Sequence, residues 1–157
     1  MPPQATGSAR PPLAVLFACG LNSVRSPMAA ALFAQIFGRA IYVVSAGVRK
    51  GELDPFAVAV MAEIGLDISR HKPVTLEELA DWEGLNFDLI VTLAPEAHHR
   101  ALELTRTSGV DVEYWPTADP SAVEGSRSQR LDAYRQVRDH LVARLQQRFA
   151  IPRSGNE

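Results

Sequence analysis

Apolar runs with the length of buried strands alternate along the chain with segments in which apolar residues recur at helical spacing. Strands are predicted over residues 13–18, 41–45, 87–93 and 112–115, and helices over about 26–37, 55–64, 96–106 and 129–147. Strands that are apolar on both faces and alternate with helices predict a parallel sheet covered on both sides. The pattern therefore indicates an α/β fold with a four-stranded parallel sheet flanked by helices on both faces.

The chain is predicted to form one domain with two short ends. Residues 1–12 contain four prolines, small polar residues and one charge, so burial cannot offset the entropy of ordering them, and we expect a disordered leader. The domain is expected over residues 13–150, with a flexible tail over 151–157. The uncharged stretch of residues 26–38 is shorter than the roughly 18 apolar residues that a membrane-spanning helix needs. No membrane association is expected.

Charge and cysteine content narrow the classes of function. The 157 residues include 16 Lys and Arg against 18 Asp and Glu, a formal net charge of -2. Such a balance lacks the positive charge that binding to a phosphate backbone needs, so nucleic acid is not expected as a partner. The one cysteine cannot close an intramolecular disulfide, and the chain does not resemble a disulfide-rich secreted protein. A cytoplasmic location is predicted.

The segment between the first predicted strand and the first predicted helix carries the most chemical information. Five residues separate Cys19 from Arg25, and Ser26 and Pro27 follow. Pro27 suits the first turn of a helix, and Ser26 can cap it. A loop of this length can turn successive N–H groups inward, and the start of the helix adds positive potential, so we expect a site for a tetrahedral oxyanion. The expected binding residues are Gly20, Leu21, Asn22, Ser23, Val24, Arg25 and Ser26.

Three side chains have the properties needed for phosphoryl transfer. The inward N–H groups and Arg25 would hold Cys19 as a thiolate, which is a nucleophile. The planar guanidinium of Arg25 can bind two oxygens of a phosphoryl group at once. Asp119 follows the fourth predicted strand and therefore lies at the same edge of the sheet, where it can protonate the leaving oxygen.

Together, Cys-x5-Arg-Ser-Pro near the N-terminus and a late Asp-Pro pair at residues 119–120 resemble the low-molecular-weight protein tyrosine phosphatase family. The fold of this family is shared with one class of arsenate reductases. The resemblance extends from about residue 13 to residue 149. It includes Ser-Ala-Gly at 45–47, Asp-Pro at 54–55, residues 65–69 with His71, and residues 87–91.

The resemblance implies a role for each matching residue. Cys19 is the expected nucleophile, Arg25 the oxyanion clamp, and Asp119 the acid and then the base. Ser26 is expected to donate its hydroxyl hydrogen to the thiolate, and Asn22 and Ser45 to brace the loop. His71 either contacts this loop or ends a connection between a helix and a strand, and it is included among the supporting residues.

The sequence also departs from the family pattern. Gly20 and Leu21 stand in swapped order, and Val24 replaces the second loop cysteine of many members. Residues 49–50 (Arg-Lys) and 121–122 (Ser-Ala) stand where the family places aromatic rings. Unless Tyr114 or Trp115 supplies a ring, the two cations are expected to favour a substrate with a second negative group.

Three functions are therefore compatible with the sequence. The first is hydrolysis of phosphomonoesters, from a phosphorylated protein or a small phosphate, through a phosphocysteine intermediate. No cofactor or metal ion is expected, because positioning and charge neutralisation carry such a reaction. The second is reduction of arsenate, in which an external thiol or a redoxin would supply the thiol that the chain lacks. The third is a phosphate-responsive binding module with little catalysis.

Overall fold

Four strands form one parallel sheet in the structure, a computed structural model that describes residues 14–149. They are β1 (Ala14–Cys19), β2 (Tyr42–Gly47), β3 (Leu89–Thr92) and β4 (Asp111–Tyr114). The order across the sheet is β2-β1-β3-β4, and each neighbouring pair is parallel. The four-stranded parallel sheet predicted from the apolar runs is confirmed.

Helices pack on both faces of this sheet. Within residues 14–149 they are α1 (Arg25–Phe37), α2 (Pro55–Ala62), α3 (Leu76–Glu83), α4 (Pro95–Leu104) and α5 (Arg127–Arg148). Alternate residues of β1 face opposite ways, as in any strand. Val15 and Phe17 join an apolar cluster with α1, α2 and α5, whereas Leu16 and Ala18 join a second cluster with α3 and α4. The buried strands are apolar on both faces because each face is covered.

Helix α3 was not predicted, and its start carries a recognisable signal. The side chain of Thr75 accepts a hydrogen bond from the backbone N–H of Glu78, and the Glu78 carboxylate accepts one from the N–H of Thr75. This reciprocal pair is a capping box, which the spacing Thr-x-x-Glu predicts. With only 8 residues, α3 is too short for its apolar period to be clear.

Some predictions concern residues that the structure does not describe, and one helix begins earlier than predicted. The expected leader (1–12), the first residue of the predicted first strand and the expected tail (151–157) fall outside the described residues. Helix α5 begins two residues earlier than predicted, because Ser126 and Gln129 form a second capping box. None of the described helices has the length and apolar character needed to cross a membrane.

The parallel arrangement brings the carboxyl ends of the strands to one edge of the sheet. The loop of residues 20–24 follows β1, residues 48–54 follow β2, and residues 115–119 follow β4. This edge is where open α/β sheets bind ligands. It therefore contains the loop after Cys19 together with the segment that carries Asp119.

Candidate active site

The loop of residues 20–24 curls between β1 and α1 because a neighbouring segment holds its carbonyl groups. Backbone N–H groups of residues 48–54 donate to the carbonyl oxygens of Cys19, Gly20, Leu21 and Ser23 at 2.9 to 3.1 Å. Within the described residues, no N–H group of residues 20–24 donates to a backbone or side-chain acceptor. With its carbonyl groups bound to the neighbouring segment, the loop keeps N–H donors available for an oxyanion.

Asn22 is the centre of the hydrogen bonds that brace this loop. It is fully buried and has a positive φ of 57°, a conformation that asparagine tolerates better than most residues. Its Nδ2 donates to the hydroxyls of Ser26 and Ser45, both at 2.9 Å. Its Oδ1 accepts from the N–H of Val74 at 3.0 Å and lies 2.9 Å from Nε2 of His71. Asn22, Ser26, Ser45 and His71, all expected near the loop, are thus in direct contact.

The state of His71 follows from these contacts. Because the Val74 N–H can only donate, the atom of Asn22 facing it is the amide oxygen, and His71 must donate to the same oxygen from Nε2. Burial lowers the pKa of His71, and the hydrogen bond to Asn22 opposes that change only in part. His71 therefore contacts the loop as a neutral ring with its proton on Nε2.

Replacement of Asn22 by alanine should lower the free energy of unfolding by about 2–4 kcal/mol, because it leaves several buried polar groups without partners and keeps a positive φ. Denaturant titration measures this loss. Ser45→Ala, which removes one of the same hydrogen bonds, is the matched control and should cost about 1 kcal/mol. An Asn22→Ala variant as stable as Ser45→Ala would contradict the central role of Asn22.

Cys19 lies at the base of the loop, at the end of β1. Its side chain is buried, and Sγ lies 2.9 Å from the hydroxyl oxygen of Ser26. The Ser26 hydroxyl also lies 3.3 Å from the carbonyl oxygen of Ala46 and accepts the hydrogen bond from Asn22. Because the amide hydrogen of Asn22 occupies one lone pair, the Ser26 hydrogen is directed to Sγ or to Ala46. The arrangement can stabilise a thiolate by hydrogen bonding.

Arg25 and Asp119 reach the same pocket from different elements. Nη1 of Arg25, the first residue of α1, donates to the carbonyl oxygen of Thr117 at 3.0 Å. This bond joins the start of α1 to the segment after β4. Asp119 follows two residues later, and its Oδ1 accepts from the N–H and the hydroxyl of Ser121 at 3.0 and 2.7 Å. Cys19, Arg25 and Asp119 all line one cavity of about 310 Å³.

Two acidic residues in this pocket were not among the predicted site residues. Oδ1 of Asp54 caps α2 through the N–H of Phe56, and Oδ2 accepts the hydroxyl of Tyr134 at 2.5 Å. Burial, followed by this bond, raises the pKa of Tyr134 well above its ordinary value. The second residue is Glu96, which lines the pocket on the side of Gly20. The Asp-Pro pair at 54–55 was a signal of a helix start, but no local pattern marked Glu96.

The structure gives each of the two cations at residues 49–50 a carboxylate partner. Arg49 pairs with Glu96 and Lys50 pairs with Glu78, each with a closest N···O distance of 2.8 Å. Only Arg49 of the two cations lines the pocket. Both cations are therefore paired with carboxylates, and the substrate preference that the sequence suggested for them stays a prediction.

No aromatic ring lines the pocket among the described residues. Tyr114 stacks on His98 with ring centroids 5.0 Å apart, and Trp115 is buried in the core against Phe17. Neither supplies the ring that the sequence left open. The described lining residues thus offer hydrogen bonds and charges to a ligand, with no surface for ring stacking.

Comparison with known proteins identifies the family to which this loop belongs. A family model described as low molecular weight phosphotyrosine protein phosphatase matches residues 14–151. The chain belongs to this family. The resemblance inferred from Cys-x5-Arg-Ser-Pro and the late Asp-Pro pair is confirmed.

The names of related proteins give two different activities, arsenate reduction and phosphatase activity. An arsenate reductase from Bacillus subtilis (strain 168) is 34% identical over 134 residues, which cover 85% of this chain and 92% of the relative. A solved arsenate reductase in the phosphate-binding state superposes with a TM-score of 0.69 at 27% identity, covering 85% of this chain and 94% of that one. The YwlE arginine phosphatase, in a mutant with a phosphorylated active-site serine, has a TM-score of 0.69 at 28% identity, with coverage of 85% and 91%.

Proposed function

We propose that this family member is a cysteine-dependent phosphatase that hydrolyses phosphomonoesters through a phosphocysteine intermediate. The observation that carries the proposal is the convergence of Cys19, Arg25 and Asp119 on one cavity of about 310 Å³. A solved relative with a phosphorylated active-site serine supports covalent transfer to the loop residue. Phosphorylated proteins, including phosphotyrosine proteins, and small phosphates are the proposed substrates.

The first proposed step forms the phosphocysteine. The phosphoryl group binds the N–H groups of residues 20–24, and Arg25 holds two of its oxygens. The Cys19 thiolate attacks phosphorus in line with the leaving oxygen, so that the S–P bond forms as the P–O ester bond breaks. Asp119 gives its proton to the leaving oxygen, and the alcohol or phenol departs.

The second proposed step regenerates the enzyme. Asp119, now ionised, accepts a proton from water, and the oxygen of that water attacks phosphorus. The S–P bond breaks, inorganic phosphate forms, and the sulfur leaves as thiolate. Ser26, whose hydroxyl oxygen lies 2.9 Å from Sγ, can stabilise this leaving thiolate by a hydrogen bond.

Asp119→Asn should slow hydrolysis of substrates with poor leaving groups by about 10²-fold or more, because asparagine cannot supply the proton. An activated nitrophenolate leaves without that proton, so its release should change far less. Steady-state kcat/KM for a series of aryl phosphates of increasing phenol pKa measures the contrast. Ser121→Ala, which loosens Asp119 but keeps the acid, is the matched control. Equal slowing across the series would show that Asp119 acts on loop structure instead of proton transfer.

Arsenate reduction is the second candidate, supported by the names of the curated relatives at 31 to 36% identity. In that reaction Sγ of Cys19 displaces an oxygen of arsenate, which leaves as water, and an S–As bond forms; attack of a second thiol on that sulfur then breaks the S–As bond and releases arsenite. Two thiols are then oxidised to one disulfide while arsenic(V) is reduced to arsenic(III). Because the chain has one cysteine, the second thiol would come from a small thiol or a redoxin.

One set of assays separates these functions. Release of phosphate from an aryl phosphate, a phosphotyrosine peptide and phosphoarginine tests hydrolysis and compares substrates. Oxidation of added thiol or reduced thioredoxin that depends on arsenate tests reduction. If inorganic phosphate binds but neither hydrolysis nor arsenate reduction is detected, the chain is a phosphate-binding module. That result would overturn the proposed phosphatase activity.

A further inference from the structure

The Arg49–Glu96 ion pair stands beside the phosphate-binding loop. The guanidinium of Arg49, from the segment after β2, donates two hydrogen bonds to the carboxylate of Glu96, at the start of α4, at 2.8 and 3.1 Å. Both residues line the pocket that contains Cys19. The hydrogen bonds from Arg49 lower the pKa of Glu96, and the charge of Arg25 adds to that effect. Glu96 is therefore an ionised carboxylate at neutral pH.

Gly20 leaves the space that this carboxylate occupies. A Cβ atom added at Gly20 would stand 2.5 Å from Oε1 of Glu96 and 4.0 Å from Nη2 of Arg25. Any larger residue at position 20 would thus displace the Glu96 carboxylate. This contact shows how close the Glu96 carboxylate lies to the backbone of the loop. It also places the negative charge of Glu96 against the loop itself, while Arg49 is the more exposed partner at 59% against 44%.

Besides Arg49 and Glu96, the residues with ionisable side chains that line the pocket include Arg25, Asp54 and Asp119. Arg25 is the cation beside the loop, and a bound phosphoryl group would neutralise it. The further lining residues of this kind are Arg49, which is paired with Glu96; Asp54, which accepts hydrogen bonds from Phe56 and Tyr134; and Asp119, which carries a proton when it acts as the proposed acid. Beyond the phosphoryl group, a ligand in this pocket therefore meets the carboxylates of Glu96 and Asp54.

We propose that Glu96 is a specificity-determining residue of the phosphate pocket, which favours phosphate compounds that carry a positively charged group over those with a second negative group. The proposal rests on the function proposed above, because it takes the Cys19 loop as the phosphate site. Its basis is the position of the carboxylate against Gly20 and near Arg25. The two cations at residues 49–50 suggested the opposite preference, for a substrate with a second negative group.

The test compares two small ligands of similar size that differ in charge. Aminoethyl phosphate carries a cation two carbons from the ester oxygen, and carboxymethyl phosphate carries an anion in a similar place. Each competes with alkylation of Cys19 by iodoacetamide, a neutral reagent, and protection gives an apparent dissociation constant for occupancy of the loop, as bound ester or as phosphocysteine. Inorganic phosphate is the reference ligand. The quantity compared is the ratio of the two dissociation constants, measured at low and at high salt.

Glu96→Gln and Arg49→Gln should move this ratio in opposite directions. Wild-type protein should bind aminoethyl phosphate more tightly. Glu96→Gln should reduce that preference by about three- to tenfold, and Arg49→Gln, which leaves Glu96 unpaired, should increase it. Both changes should shrink at high salt. Glu78→Gln and Lys50→Gln alter a matched ion pair outside the pocket lining and should leave the ratio unchanged; glutamine at 78 also retains the capping box.

Several results would overturn the proposal. They are a wild-type preference for carboxymethyl phosphate, a shift in the same direction for Glu96→Gln and Arg49→Gln, or shifts no larger than those of the two controls. Failure of the proposed hydrolysis is a separate result, since protection reads occupancy of the loop whether or not the ester is hydrolysed. Absence of any protection by inorganic phosphate would overturn both proposals, because the loop would then not be a phosphate site.

Discussion

Replacement of Cys19 by serine should lower turnover of an aryl phosphate at least about 10³-fold, because the serine hydroxyl is un-ionised at neutral pH and is a far weaker nucleophile. Binding of inorganic phosphate should persist, since the N–H groups of residues 20–24 and the guanidinium of Arg25 remain. Steady-state kinetics measures the first quantity and titration calorimetry the second. The hydrogen-bond environment also changes little, because serine at position 19 can still bond to Ser26.

The control for Cys19→Ser is chemical modification of the wild-type protein. Alkylation of Cys19 by iodoacetamide should be rapid and should abolish turnover, because the proposed nucleophile is a thiolate. Phosphate should slow the reaction, because Cys19 lines the pocket that phosphate would occupy. Retention of more than a few per cent of turnover in the serine variant would remove Cys19 from the role of nucleophile. Slow labelling that phosphate does not affect would instead indicate a structural cysteine.

Arg25→Lys should lower kcat/KM about 10²- to 10³-fold, a loss typical of removing one preorganised group that binds charge in the transition state. The planar guanidinium can hold two phosphoryl oxygens while Nη1 stays bound to Thr117, whereas a lysine ammonium is a single point charge. The variant would also lose part of the link between α1 and the segment that carries Asp119. Kinetics with one activated aryl phosphate measures the effect without a contribution from the leaving group.

The matched control for Arg25→Lys is Arg100→Lys, a substitution of the same type in α4. Arg100 pairs with Glu77 and Glu103, and it does not line the pocket. Its replacement should leave kcat/KM nearly unchanged. A thermal unfolding measurement on both variants shows whether each retains its fold. A mild effect of Arg25→Lys in a folded protein would contradict the role of Arg25 as the phosphoryl clamp.

Local contacts of the phosphate loop follow from neighbouring residues, and the sequence predicted them. Cys19, Arg25 and Ser26 lie within eight consecutive positions between a strand and a helix. The spacing of these residues is set by the short loop and the helix that follows, although the backbone of residues 48–54 holds the carbonyl groups of the loop. For the same reason, the start of α3 was accessible through the Thr75–Glu78 capping box, although the apolar pattern alone did not reveal that helix.

Several contacts at the site could not be predicted from the sequence, because they join segments that are far apart in the chain. Asn22 bonds to partners 4, 23, 49 and 52 positions away, and Arg25 bonds to a carbonyl group 92 positions away. Arg49 comes from the segment after β2, and Glu96 comes from the start of α4. Charges that looked unpaired along the chain, such as Lys50, have partners in space. The residue types alone therefore could not show that both cations have carboxylate partners.

By itself, the sequence determined the α/β class, the four parallel strands and the phosphate loop after Cys19. Hydrophobic period and short-range motifs record which faces are buried and how the chain turns, so these features can be predicted one segment at a time. Only the tertiary structure decided that His71 reaches Asn22, that Tyr114 and Trp115 stay out of the pocket, and that Glu96 fills the space beside Gly20. Those outcomes depend on sheet order, strand register and helix packing, which together set the distance between side chains far apart in the chain.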